Sequence, residues 1–270
     1  MHPRNMMSEG CPDPSPHAER IDLWLAFFGG IHAEDLLEQY RLLLTEAERA
    51  QERRFHFAAD RKRFLVTRAL VRTVLSRYVS RGPRELEFQV NDYGRPELVQ
   101  ASPAESRLVF NLSHTRDLIV MGVTEGGELG VDTENVYVRA AALEVADRYF
   151  AEDEVAALNA LRSDSRSMRF FELWTLKESY IKARGMGLSI PLDKFKFDLS
   201  ADERVSLCID PELTDDGAAW RIWQIRPMHE YLVAVCARRT TVARPRLITR
   251  AIVPLQSETE FSCAVVRTSE

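Results

Sequence analysis

The sequence predicts an α+β fold: two similar halves, each an α/β two-layer unit with a small antiparallel sheet and helices packed on it. Three observations predict it. Long amphipathic segments such as Asp60 to Tyr78 and Phe170 to Arg184 stand among short aliphatic runs bounded by turn residues. Glu125-Gly126-Gly127-Glu128 is a polar, glycine-containing break between two apolar runs. Beyond it, the order of elements repeats. The resulting division is residues 1–20 as a disordered leader, 21–127 as the first half, 128–240 as the second, and 241–270 as a tail.

In order, the proline-rich and polar start lacks the apolar core of a signal peptide. Ile21 to Phe28 reads as a buried strand, and Ala33 to Arg54 as helical. Thr45 followed by Glu48 is a capping box that starts a fresh helix. Asp60 to Tyr78 carries an apolar stripe (Phe64, Val71, Val74, Leu75) and a separate basic one (Arg61, Arg68, Arg72), and Gly82-Pro83 ends it. Leu86 to Val90, a turn at Asn91 to Gly94, short strands around Leu98 and Leu108 to Asn111, and Leu118 to Thr124 form the first sheet. The second half reads as a strand at Leu129 to Asp132, helices at Ala140 to Phe150, Glu152 to Leu161 and Phe170 to Arg184, and strands at Lys194 to Leu199, Val205 to Ile209, Trp220 to Ile225 and Tyr231 to Ala237. HEYLVAVCA from His229 echoes HTRDLIVMGV from His114, an echo that any two aliphatic strands can give. Past Arg238 no pattern is legible, and the last residues are expected to be mobile.

With 45% hydrophobic residues the chain can bury a sizeable core, and no run is long enough to span a bilayer. The net charge of −5 gives no global argument for nucleic acid or a membrane surface, and a cytoplasmic monomer is expected. The charge is uneven, however: Arg49 to Arg84 holds 11 basic residues against 2 acidic ones. That concentration points to an anionic ligand met at one place. Four scattered cysteines (Cys11, Cys208, Cys236, Cys263) form neither a metal clamp nor a disulfide framework.

The chemistry lies in a few short stretches. Asp132 and Glu134 stand at i and i+2 on a strand, so both carboxylates share one face. Glu178 and Lys182, one helical turn apart, supply a third carboxylate and an ammonium. Three carboxylates with room for water suit Mg²⁺. Each part also has a bland reading: an exposed Glu-Lys pair is worth only about 0.3–0.5 kcal/mol, and Asp-x-Glu is common at strand ends. His114, in Asn111-Leu112-Ser113-His114, is placed in a tight loop facing a phosphate, or is ordinary surface. The turn explains Gly94 and Pro96, whereas Arg95 between them has no local reason. Arg61, Arg63, Arg68 and Arg72 are either a solvated face or phosphate contacts.

Taken together and in order, Gly94-Arg95-Pro96, Phe110 to His114, Gly130-Val131-Asp132-Thr133-Glu134 and Trp174 to Lys182 (WTLKESYIK) make the chain resemble the surfactin-synthetase type of 4′-phosphopantetheinyl transferases, from about Leu44 to Ala237. The resemblance implies coenzyme A bound in a cleft between the halves, and transfer of its phosphopantetheine group to a serine of an apo acyl or peptidyl carrier protein, releasing 3′,5′-ADP. It implies that Asp132, Glu134 and Glu178 hold Mg²⁺, that Glu178 or a metal-bound water takes the serine proton, and that Lys182 pairs with the phosphate. Ser113 and His114 would meet the 3′-phosphate, with Arg95 where many relatives carry Lys and with Lys177 as a further cofactor contact. Glu48 and Gln51 stand where some relatives use lysines and Phe64 where they have a small hydroxyl residue, so Arg49, Arg53, Arg63 or Arg68 is expected to substitute there. Asn135 to Ala141, with Tyr149 and Phe150, is the expected carrier contact. The alternatives are a Mg²⁺-dependent nuclease, which would want its Lys on a strand, and a non-catalytic coenzyme-A or carrier-binding module.

Overall fold

The computed structural model of the chain describes residues 20–102, 105, 107–138, 142–239 and 245–269. All but the last residue of the expected leader therefore lies outside the described residues. The first half begins with β1 (Arg20–Ala26), followed by α1 (Glu34–Leu43), α2 (Glu46–Arg54) and α3 (Ala58–Leu75). The capping box at Thr45 and Glu48 separates α1 from α2, with both reciprocal bonds in place. α3 stops before the expected Gly82-Pro83, because i→i+3 bonds at Arg77 and Tyr78 tighten its end and Tyr78 turns its hydroxyl to Asp22 at 3.1 Å.

Next come a small hairpin, β2 (Phe88–Val90) and β3 (Pro96–Leu98), then β4 (Leu108–Thr115) and β5 (Leu118–Glu125). Gly126 and Gly127 both take positive φ (67° and 72°), which is why glycines stand at the crossing between halves. The second half contains β6 (Leu129–Asn135), α4 (Leu143–Tyr149), α5 (Glu152–Asn159), α6 (Ser163–Arg184), the hairpin β7 (Phe195–Asp198) and β8 (Ser206–Ile209), β9 (Trp220–Arg226) and β10 (Tyr231–Arg238). α6 starts a full two turns before Phe170 and ends at Gly185, whose φ of 66° makes the left-handed C-cap.

The stretch after Arg238 is a correction to the expected patternless tail. It forms β11 (Arg246–Val253), β12 (Ser257–Glu260) and β13 (Ala264–Thr268). β11 pairs with β1, and β13 with β9, so one segment adds strands to both sheets. The first sheet has the order β12-β11-β1-β5-β4 and the second β13-β9-β10-β6. The first is not purely antiparallel as expected, since β1 and β11 run parallel. The hairpin β2-β3 stands apart from it.

Alternation along the strands sorts the core into three layers. On β1, Trp24 and Ala26 pack with α1 and α3, while Ile21, Leu23 and Leu25 face the other sheet. On β10, Leu232, Ala234 and Cys236 lie under α6, while Val233 and Val235 face the first sheet. The two sheets thus pack on each other with helices outside. Central strands buried on both faces need apolar residues at every position, which accounts for runs such as LIVMGV and YLVAVC.

Candidate active site

The site forms where β4 and β6, an edge strand of each sheet, run side by side under α6. β6 is an edge, so its outward N–H groups need acceptors. Side chains of β4 supply them with period 2: Val131 N–H donates to Asn111 Oδ1 (2.9 Å), Thr133 N–H to Ser113 Oγ (3.2 Å) and Asn135 N–H to Thr115 Oγ1 (3.0 Å). The Asn-x-Ser-x-Thr pattern is therefore a seam between halves. Asn111 and Thr115 were not singled out as site residues from sequence. Their signal was alternating polar residues in an otherwise apolar strand.

Gly130 sets the distance between β6 and α6. A Cβ there would stand 2.0 Å from the Ser179 carbonyl oxygen and 2.3 Å from the Ala183 nitrogen, so only glycine lets the helix lie directly on the strand. That approach brings Glu178 and Lys182 over the strand face that carries Asp132 and Glu134. Lys182 Nζ donates to Asp132 Oδ1 at 2.7 Å and to Ser113 Oγ at 3.0 Å, and Ser113 Oγ donates to Asp132 Oδ1 at 2.9 Å. Asp132 is 6% exposed, and its Oδ2 is buried without a partner among the described residues. Burial pushes the Glu178 carboxyl up to about 7, with Asp132 and Glu134 adding to the rise and Lys182 opposing it. Asp132 and Glu134 thus both act on the Glu178 carboxyl.

Among the described residues, no three carboxylate, imidazole or thiol groups stand together as a ready metal cage; the ammonium of Lys182 sits on Asp132 instead. The donor set nevertheless suits a hard divalent cation. It is all oxygen, one oxygen of Asp132 is buried and unpartnered, and Glu178 holds a proton that a cation would displace.

Other predicted residues fall in three groups. His114 lies in β4 rather than in a loop, because the strand runs on to a turn at Arg116 and Asp117, where Asp117 takes φ 64°. Part of the residue is exposed, but desolvation by the surrounding protein is the main cause that lowers its pKa, with the charges of Arg63 and Lys182 adding to it. Arg63, on α3, pairs with Asp60 at 3.0 Å, and its charge reaches His114.

Arg53 and Arg68 are placed elsewhere. Arg53 is exposed and pairs with Glu46 at 3.1 Å. Arg68 and Arg72 both grip Glu48, and both lie over the Phe88 ring at 4.9 and 5.4 Å. Burial alone would raise the Glu48 carboxyl, but Arg72 and Arg68 more than offset it and lower its pKa. Arg72 is buried, so the basic stripe expected on α3 is partly an internal clasp.

Lys177 and Arg95 are not free for a ligand. Lys177 is fully buried and pairs with Glu154 at 2.7 Å while donating to the Leu192 and Phe195 carbonyls. It joins α6 to α5 and β7, on the side away from the carboxylates. Arg95 donates to the carbonyls of Lys182 and Ala183 (3.2 Å each), Leu129 (3.2 Å) and Phe110 (3.4 Å). It also lines a cavity of about 340 Å³ with Arg107, Arg184 and Glu128, into which none of the three carboxylates opens. Trp174 is partly buried and stacks with Phe150 and Phe170.

Comparison with known proteins shows the family. Residues 128–236 match the 4′-phosphopantetheinyl transferase superfamily, and residues 33–125 match the N-terminal region of 4′-phosphopantetheinyl transferases. A 4′-phosphopantetheinyl transferase of Bacillus subtilis is 33% identical over 201 residues, covering 74% of this chain and 85% of its own. The transferase Sfp of Bacillus subtilis strain 168 is 32% identical over 200 residues, with 74% and 84% covered. HetI, a 4′-phosphopantetheinyl transferase of Nostoc, is 30% identical over 202 residues, with 75% and 81% covered. Among solved structures, the holo-[acyl-carrier-protein] synthase of Thermotoga maritima aligns with 52% of this chain and 94% of its own at 18% identity and a TM-score of 0.34.

Proposed function

Because the chain belongs to the 4′-phosphopantetheinyl transferase superfamily, we propose that it is a Mg²⁺-dependent enzyme that moves the phosphopantetheine group of coenzyme A onto a serine of an apo acyl or peptidyl carrier protein and releases 3′,5′-ADP. The observation that carries this reading is the convergence of Asp132, Glu134, Glu178 and Lys182 where β6 meets α6. Asp132, Glu134 and Glu178 would hold Mg²⁺, which supplies charge neutralisation on the pyrophosphate. Glu178, or a water on the metal, would take the serine hydroxyl proton.

Lys182 supplies the mobile positive charge. Its ammonium rests on Asp132 and Ser113, within reach of the oxygens that would hold the metal, and it pairs with the transferred phosphate. Ser113 is engaged by Asp132, Lys182 and the Thr133 amide, so its role is to orient Lys182. The 3′-phosphate falls to His114 and Arg63, whose charge already reaches that ring. Arg53 and Arg68, paired with Glu46 and Glu48, are left out of the phosphate contact.

For the carrier, Tyr137 and Val138 beyond β6, Tyr149 and Met228 are exposed large apolar residues, and Arg148 lies over the Tyr149 ring. An apolar patch with basic edging suits an acidic carrier. Phe150 is buried against Phe170 and takes no part, and 139–141 lie outside the described residues. The expectation of a cytoplasmic monomer with no nucleic-acid partner stands as part of the proposal. Among the described residues the cysteines are free, and no helix is long and apolar enough to cross a membrane.

The test is a panel of apo carriers from fatty acid, polyketide and peptide synthases, incubated with coenzyme A and Mg²⁺ and read by mass spectrometry. The expected result is a carrier that gains one phosphopantetheine with wild type and none with Glu178→Ala. A fully active Asp132→Ala, Glu178→Ala double variant would overturn the mechanism.

A further inference from the structure

The end of a helix leaves carbonyl oxygens unpaired and carries the negative end of its dipole. At the end of α6 three carbonyls, of which that of Lys182 also accepts from the Gly185 N–H at 3.1 Å, are met by donors from the other half of the molecule. Asn91 Nδ2 donates to the Gly185 carbonyl at 3.1 Å, and one terminal nitrogen of Arg95 donates to those of Lys182 and Ala183 at 3.2 Å each. The other terminal nitrogen of Arg95 reaches the Leu129 carbonyl on β6 and the Phe110 carbonyl on β4. One guanidinium therefore touches the three elements that carry the site.

The turn holding these two residues is itself built. Asn91 Oδ1 accepts from the amides of Tyr93 (3.0 Å) and Arg95 (2.9 Å), Asn91 N–H donates to the Arg95 carbonyl (2.9 Å), and Gly94 between them has φ 83°. Gly185 leaves room for the fork, since a Cβ there would stand 3.3 Å from the Arg95 nitrogen. A lysine carries one nitrogen with three donors and cannot reach four carbonyls on three elements; the planar fork of arginine can.

We propose that Asn91 and Arg95 form a clamp that caps α6 from the opposite half and positions Lys182, making Arg95 a positioning residue and not a phosphate contact. The main-chain carbonyl that Arg95 holds belongs to Lys182 itself, the residue whose ammonium lies on Asp132 and Ser113. The proposal rests on the transferase reading for the step that Lys182 serves.

The experiment compares Arg95→Lys, Arg95→Ala and Asn91→Ala with wild type. Coenzyme A titration counts the binding-competent fraction, carrier modification gives kcat per competent molecule and KM for coenzyme A, and hydrogen exchange follows the last turn of α6. The clamp predicts that Arg95→Lys does not rescue: kcat per competent molecule falls about tenfold or more in all three variants, as expected for a misplaced group. KM for coenzyme A stays within about twofold, and exchange at the α6 end rises. A role in fold stability alone would lower the competent fraction and leave kcat per competent molecule unchanged, which overturns the proposal. A phosphate contact would give a near-normal Arg95→Lys, a raised KM in Arg95→Ala and a normal Asn91→Ala, which also overturns it. If wild type modifies no carrier, the transferase reading fails, and unchanged exchange in the variants would separately refute the clamp.

Discussion

Glu178 is a carboxyl held where its charge is disfavoured. Its ordinary pKa of 4.5 rises to about 7 in the folded protein. Below pH 4.5 both folded and unfolded chains keep the proton, and there is no penalty. Between 4.5 and 7 the folded chain binds more protons than the unfolded one, so stability falls as pH rises, and above 7 the full cost of about 3 kcal/mol is present. Glu178→Gln is expected to raise the melting temperature at pH 8, leave it unchanged near pH 4, and abolish carrier modification. A Gln variant less stable than wild type at pH 8 would show that the site does not strain this carboxyl. The same displacement of a proton predicts that Mg²⁺ raises the melting temperature of wild type at pH 8 and has a smaller effect at pH 6, where protons compete for Glu178.

Lys177 is the neighbouring residue with the opposite fate. Its burial lowers its pKa, but Glu154 and two carbonyls hold it in the core. Lys177→Met leaves Glu154 buried without its cation and is expected to cost about 3–5 kcal/mol in denaturant unfolding, with kcat per folded molecule retained. Loss of activity in the folded fraction would return Lys177 to the site. The motif spelled both lysines; only the angle around α6 separates them, Lys177 facing β7 and Lys182 facing β6.

At the scale of elements, the site is a contact between a strand and a helix, and Gly130 is its narrowest point. Gly130→Ala drives a methyl into the α6 backbone, not into a flexible side chain. The expected cost is at least about 1–3 kcal/mol, with loss of carrier modification even in the molecules that fold. A Gly130→Ala enzyme with normal turnover would mean that α6 need not lie against β6. G-x-D-x-E and the Glu178–Lys182 stripe were legible because both depend on local periods of 2 and 3.6. The seam of Asn111, Ser113 and Thr115 was not, because its partners are backbone amides 20 residues away.

For the whole molecule, the stretch after Arg238 is the unexpected structural part. β11 covers the edge of β1, and its Arg250 is buried against Asp22, while Tyr40 donates to the Pro254 carbonyl. β13 extends the other sheet beside β9. A chain ending at residue 244 would expose two sheet edges and leave Asp22 with Arg20 as its remaining cation. It is expected to lose cooperative unfolding or to aggregate, as circular dichroism and sedimentation would show; a truncated chain that melts like wild type would contradict this. RLITRAIV has no clean alternation because Arg250 answers Asp22, some 228 residues earlier.

By itself the sequence determined the α+β class, the helices and most strands, and it offered the candidate carboxylates and ammonium that the fold brings near one another. Those follow from local periodicity and turn chemistry, which neighbouring residues carry. Only the tertiary structure decided that the two sheets pack face to face, that Glu48 internally binds Arg68 and Arg72, that Lys177 is core, and that Arg95 grips four carbonyls. A charged side chain reports its type in sequence, but its role depends on which partner reaches it first. For these residues that partner comes from another part of the fold.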